Sequence, residues 1–219
     1  MAGAVALAAW APFLSAQGPA LAAYERVADA WRATQTLEVR FEQQVVNALV
    51  GRTATSRGVY RQQRPNRVAI TFTDPAGDQV VGDGKALWVY LPSSAPGQVL
   101  KLPANADGAV VADLLAQLLE TPRQSFQVTG GEAVELLGRP ARRVSLRPRP
   151  GARVPFVRAE LWLDDAEPRP LRVQVADPQG VERTITLSSW TTGVRLPAEA
   201  FRFTPPRGVR VVTSLPGAP

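Results

Sequence analysis

Val80-Val81-Gly82-Asp83-Gly84-Lys85-Ala86-Leu87-Trp88-Val89-Tyr90 places two runs rich in β-branched and aromatic residues on either side of Asp83-Gly84. An Asp-Gly pair tolerates the backbone of a tight hairpin turn, so the flanking runs read as antiparallel neighbours. Working outward, the same period of two recurs. Leu37, Val39 and Phe41 alternate with Glu38, Arg40 and Glu42, and Val68, Ile70 and Phe72 alternate with Arg67, Ala69 and Thr71. Downstream, Val144/Leu146, Ala159/Leu161/Leu163, Leu171/Val173/Val175 and Ile185/Leu187 repeat the pattern. Gly130-Gly131, Gly138, Pro150-Gly151, Glu167-Pro168 and Pro178-Gln179-Gly180 punctuate it. These runs predict about ten strands in an antiparallel meander, each with one wet and one buried face.

Two segments break the period. Leu21, Tyr24, Val27, Ala28 and Trp31 recur at mostly three- and four-residue intervals, which predicts an amphipathic helix to about Thr34. Ala109 to Glu120 carries apolar residues on more than one stripe before Pro122, so it predicts a second, largely buried helix, with Asn105 or Asp107 as its cap. The order is helix, strands, helix, strands. The fold class that follows is mainly β (α+β): a strongly curved sheet or open barrel with helices laid into its inner side.

Composition narrows the chemistry. The 219 residues suit a single domain with a real core, and they include neither histidine nor cysteine. Imidazole catalysis, thiolate chemistry, disulfides, the common zinc sets and lipid attachment at a cysteine are therefore excluded. The serines show no G-x-S-x-G, and Asp83, Asp164, Asp165 and Asp177 all sit at turn signals, so no enzyme and no cofactor is expected. The net charge of +6 rests almost wholly on arginine, Lys85 and Lys101 being the only lysines. The arginines are scattered through strands and turns, which reads as a solvated surface rather than a nucleic-acid patch. Residues 1–22 hold no charged side chain, run apolar from Ala4 to Leu14 and end in Ala20-Leu21-Ala22. They read as a secretory leader, although no Lys or Arg precedes the apolar stretch, with residues 23–219 as one exported domain.

The ordered motifs carry a resemblance. Phe41-Glu42-Gln43, Gly58-Val59-Tyr60, Arg64-Pro65-Asn66-Arg67, the quoted hairpin continued to Leu91-Pro92, Glu160-Leu161-Trp162-Leu163-Asp164, Asp177-Pro178-Gln179-Gly180 and Phe201-Arg202-Phe203-Thr204-Pro205-Pro206-Arg207-Gly208-Val209 run across nearly the whole exported chain. Singly they are common, but their order and spacing resemble the LolA family of lipoprotein carriers. That resemblance implies an incomplete β-barrel with a lid of α-helices over an apolar cavity for acyl chains. It also implies a periplasmic location, a monomer, and three partners: outer-membrane-directed lipoproteins, an inner-membrane release complex and an outer-membrane receptor. A second reading with the same half-barrel is a regulatory module of the cell envelope that senses lipid or lipoprotein. The loop from Ser94 to Ala109 has no counterpart in the family pattern, and the segment after Val212 is short.

The resemblance also assigns roles. Arg64 matches the position that ties the lid to the sheet, and its place before Pro65 favours extended backbone. Val68, Ile70, Phe72, Leu87 and Val89 on the sheet, with Leu114, Leu115 and Leu118 on the helix, become cavity lining. Trp88 and Tyr90 fall on the opposite strand face from Leu87 and Val89, so both sets cannot line one cavity.

Overall fold

A computed structural model describes residues 17–104 and 113–213. The alternating runs pair into one 12-stranded sheet of order β12-β6-β5-β4-β3-β2-β1-β11-β10-β9-β8-β7. In chain order these are β1 (Thr36–Asn47), β2 (Arg52–Gln63), β3 (Arg67–Asp74), β4 (Ala76–Gly82), β5 (Ala86–Tyr90), β6 (Gln98–Pro103), β7 (Phe126–Leu136), β8 (Arg139–Pro148), β9 (Arg158–Asp164), β10 (Pro170–Ala176), β11 (Val181–Thr192) and β12 (Arg210–Val212). Neighbours are antiparallel except β12, which runs parallel to β6. The end strands β7 and β12 do not meet, so the barrel is incomplete. Joining the two runs of strands, β1 pairs with β11 from Leu37↔Thr192 to Asn47↔Val181.

The hairpin that opened the reading forms as expected. Asp83 Oδ1 accepts the backbone N–H groups of Lys85 and Ala86, each at 2.8 Å, and Gly84 takes φ +91°. More strands form than the alternation predicts. β2 reads Arg-Thr-Ala-Thr-Ser-Arg-Gly-Val-Tyr-Arg-Gln-Gln and β7 contains Gly130-Gly131, so neither shows a clean apolar period, yet pairing completes them, β2 between β1 and β3 and β7 along β8.

Helix α1 spans Gln17–Ala33, starting earlier than predicted, and Thr34 closes it with Oγ1 on the Ala30 carbonyl at 2.7 Å. Its apolar side, Ala20, Tyr24, Val27, Ala28 and Trp31, is wholly buried against β7, β8 and β9. A Cβ on Gly131 would stand 3.1 Å from that of Ala20, so the strand's glycine lets the helix come close. The predicted leader is described only from Gln17; residues 1–16 lie outside the described part.

The second helix is α2, Leu114–Leu119, followed by the short α3, Pro122–Ser125. The cap differs from the expectation. Asn105 and Asp107 lie outside the described residues, and Asp113 caps α2, its Oδ1 accepting the Ala116 N–H at 3.0 Å. Pro122 ends α2 as expected and also opens α3 as its first residue, where a missing N–H costs nothing. Among the described residues, no helix is long and apolar enough to cross a membrane.

On the outer face Phe203 packs over Trp88 and Tyr90, with ring centroids 5.5 and 5.7 Å away. The aromatic half of the hairpin is thus covered by the segment after the 3₁₀ turn Ala198–Phe201. Arginines pair across strands on this face as well, with Arg61 2.7 Å from Glu38 and Arg57 3.1 Å from Glu42.

Candidate functional site

Register aligns the inner-face side chains into rows that cross the sheet. One row runs Val89, Val80, Ile70, Tyr60 and Val39; another joins Phe72, Gly58, Phe41 and Leu187. Gly58 is needed in the second row. A Cβ there would stand 2.5 Å from the Thr71 carbonyl oxygen and 2.8 Å from Phe41 Cζ, so only glycine lets the Phe41 ring lie across the sheet floor. Phe41 then meets Phe72 edge-on at 5.6 Å. Over these rows, beneath Leu114 and Leu115 of α2, lies a cavity of about 390 Å³ walled by Ile70, Phe72, Val80, Val89, Ile185 and Leu187 among others.

The residues singled out in the sequence divide among three places. Ile70, Phe72, Val89, Leu114 and Leu115 line the apolar cavity. Val68 and Leu87 lie one row over, in a neighbouring cleft of about 420 Å³ that also holds Arg64, Asp113 and Glu120. Leu118 lines neither; it is wholly buried, and its carbonyl accepts the Tyr24 hydroxyl from α1. Phe41, Tyr60, Val80, Val173, Ile185 and Leu187 complete the wall without having been singled out. The alternation of Phe41, Val173, Ile185 and Leu187 was visible, but only the β1·β11 pairing brings the far half of the chain to this cavity.

Arg64 stands where β2 ends and reaches three acceptors. Nε donates to the Thr34 carbonyl at 3.1 Å, Nη2 to the Trp31 carbonyl at 3.3 Å, and Nη2 to Glu120 Oε1 at 2.7 Å. The first two are carbonyls at the C-terminal end of α1, which favour a cation; that of Trp31 also accepts the Thr34 N–H at 3.1 Å. The third belongs to the residue ending α2. Trp31 Nε1 donates to the same Glu120 oxygen at 3.3 Å, and Arg32 donates to the Glu120 carbonyl at 3.1 Å. The Arg64 side chain is 20% exposed and Glu120 39%, so solvent screens the ion pair more than the carbonyl bonds. One planar fork therefore fastens sheet, α1 and α2 together, a geometry that a lysine point charge cannot reproduce.

A second polar contact sits at the other end of α2. Tyr60 Oη lies 3.0 Å from Asp113 Oδ2 and 3.2 Å from Gln62 Oε1. Burial, aided by the Glu120 charge, pushes the Asp113 carboxyl above its ordinary pKa against the opposing bonds from Ala116 N–H and Tyr60. Burial and the neighbouring carboxylate likewise raise the Tyr60 hydroxyl. The lid is thus held at both ends by polar groups and in the middle by leucines.

The turn aspartates are occupied with backbone. Asp177 Oδ1 accepts from Gln179 N–H at 2.9 Å and Val181 N–H at 2.8 Å. Asp164 is wholly buried, 2.6 Å from Arg139 and 3.3 Å from Arg169. Burial opposes its charge, but the Arg139 hydrogen bond and the N–H groups of Ala166 and Glu167 hold its carboxyl below the ordinary value. Asp165 pairs with Arg142 at 3.4 Å. Among the described residues, no group of three carboxylates converges as a metal site.

The chain is similar in sequence and fold to known proteins. The family model described as outer membrane lipoprotein carrier protein LolA matches residues 32–204. An outer-membrane lipoprotein carrier protein from Halorhodospira halophila is 28% identical over 190 residues, covering 86% of this chain and 84% of its own. One from Chromobacterium violaceum is 29% identical over 185 residues, with 82% of each covered. Among solved structures, an uncharacterized conserved protein from Thermus thermophilus superposes with a TM-score of 0.56 at 17% identity over 89% of this chain and 99% of that one. MucB gives 0.51 at 18% over 86% and 64%, a likeness of fold alone. With the matched segment reaching from the last turn of α1 to the residues beside Phe203, the chain belongs to the LolA family of outer-membrane lipoprotein carrier proteins.

Proposed function

We propose that this protein is a periplasmic carrier, a monomer that takes up the acyl chains of lipoproteins leaving an inner-membrane release complex and surrenders them to an outer-membrane receptor. The observation that carries the reading is an apolar cavity of about 390 Å³ roofed by Leu114 and Leu115 of α2, the helix whose far end the Arg64 fork ties to the sheet and to α1. An acyl chain in water forfeits roughly 0.8 kcal/mol per methylene relative to an apolar enclosure, so a lipoprotein crossing an aqueous compartment needs one. The closed cavity lies near the lower end of the range for sites holding one drug-sized ligand, so a multiply acylated cargo requires the lid to lift. Lifting it breaks the Arg64 bonds, and their re-formation favours release to a receptor.

Export places the mature start near Ala23, leaving Tyr24 onward to form α1; N-terminal sequencing of the periplasmic protein tests that start. The function itself is tested by mass spectrometry of protein purified from its native periplasm, with wild type, Leu115→Asp and Glu42→Ala compared. Wild type and Glu42→Ala carry lipoprotein. Leu115→Asp does not, because a lone carboxylate in the cavity roof is strongly penalised. Folded Leu115→Asp protein that retains cargo as well as wild type would remove the cavity from the function.

A further inference from the structure

Arg183 is the only charged side chain lining the apolar cavity among the described residues. It continues the inner-face row of β11, Leu187 then Ile185, and its partners across the ladders are Val45 on β1 and Val175 on β10. Several strand arginines have carboxylates, Arg61 with Glu38, Arg139 with Asp164, Arg143 with Glu160 at 2.5 Å and Arg158 with Glu182, while Arg67 meets Gln63 and Arg172 meets Thr186. The Arg183 side chain makes neither a hydrogen bond nor an ion pair with any described residue. Asp177 acts on it only as a nearby charge, its Oδ1 being engaged by the Gln179 and Val181 N–H groups. Arg183 keeps an exposed side at the edge of the cavity, and burial of the rest of its guanidinium, opposed by the Asp177 charge, lowers its pKa from the ordinary arginine value.

A guanidinium beside an apolar wall gains by acquiring an anion, and its fork suits a carboxylate or a phosphate in bidentate fashion. We infer that the closed cavity takes a single-chain anionic amphiphile, its chain against Ile70, Phe72, Ile185 and Leu187 and its carboxylate or phosphate head on Arg183. The inference rests on the cavity reading above and adds a ligand class to it. The acylated end of a lipoprotein presents no anion at its amine, whereas a fatty acid or a lysophospholipid does. The cavity volume suits one chain without lifting the lid, so this ligand would bind with the Arg64 latch intact.

The test uses the full mature chain, delipidated, with the neutral probe N-phenyl-1-naphthylamine displaced by hexadecanol, hexadecanoate or hexadecyl phosphate. Wild type should bind both anions about tenfold more tightly than the alcohol, the scale of one charge-assisted hydrogen bond. Arg183→Gln should bring all three to the alcohol's affinity, and Arg183→Lys should restore part of the preference. Whichever anion binds better identifies the head group as carboxylate or phosphate. Equal binding of the three by wild type, or an anion preference that survives in Arg183→Gln, would overturn the role of Arg183 while leaving the cavity standing. Failure of all three to displace the probe would overturn the cavity reading and this inference together.

Discussion

The two halves of the sheet share one sequence pattern and end in different states. Over β7, β8 and β9, α1 comes to rest along the inner face, and Val144, Leu146, Leu161 and Leu163 are completely buried beneath Tyr24, Val27 and Trp31. Over β2 to β5, α2 contributes only Leu114–Leu119, and Ile70, Phe72 and Val89 stay partly exposed around a cavity. Apolar alternation reports which face turns inward. Whether that face meets a helix or an empty space depends on how much helix is laid over it. The filled half behaves as a core and supplies stability, while the open half keeps apolar surface unburied and so holds the capacity to bind.

The largest test of that contrast is truncation on each side. Leu161→Ala should lower unfolding free energy by about 2–5 kcal/mol, the usual cost of a cavity in a packed core. Ile70→Ala should cost less than half as much, because part of its side chain already faces empty space. Urea titrations with matched m-values would read both; equal losses would mean the two halves are packed alike.

Next in size is the latch that holds the open half shut. Arg64→Leu removes charge-assisted bonds worth roughly 1.5–3 kcal/mol to the closed state, most of it from the Thr34 and Trp31 carbonyls rather than the screened Glu120 pair. The variant should accept lipoprotein at least as readily as wild type and transfer it more slowly to purified receptor. Arg64→Lys should fall between them. Transfer rates identical across the three proteins would dissociate the fork from release.

Filling the open half should convert it toward the other. Val89→Phe adds volume beside a space rather than in a packed core, so stability should change by less than about 1 kcal/mol while probe and cargo binding fall. Loss of stability without loss of binding would show that Val89 faces packed neighbours.

The smallest effect concerns Asp113. Burial raises its folded-state pKa, so the folded protein binds a proton that the unfolded chain releases. That contribution is complete below the ordinary carboxylate value, about 3.9, and is lost as pH rises through the raised folded value. The groups acting on it are Tyr60, Glu120 and Arg64, with the Ala116 N–H. Asp113→Asn keeps a good cap for α2 and should flatten this part of the stability profile. Thermal melts from acid to neutral pH, wild type against variant, would reveal it as converging curves at low pH; parallel curves would refute it.

Much of this was legible in the residues. The period of two in Leu37, Val39 and Phe41 and in Val68, Ile70 and Phe72, the Asp83-Gly84 turn, and α1 from Tyr24, Val27 and Trp31 all follow from local rules of spacing and turn geometry. β2 was not, because its strand character comes from its neighbours; Gly58 there marks a close approach that the Thr71 carbonyl and the Phe41 ring explain. Asp113 was passed over as a cap because the apolar run continued upstream of it.

The amino-acid order by itself determined most of the strands and their inward faces, the exclusion of histidine and cysteine chemistry, and the placing of Arg64 at a strand end. Those properties depend on residue type and on near neighbours. Only the tertiary structure decided that Ile70 borders a void while Leu161 is core, that Val68 and Leu87 belong to the latch cleft, and that Leu118 serves Tyr24. It also brought Glu120 to Arg64 and Arg183 to an apolar wall. Each depends on contacts between residues dozens to more than a hundred positions apart, and burial at such distances is a property of the assembled surface that no local pattern encodes.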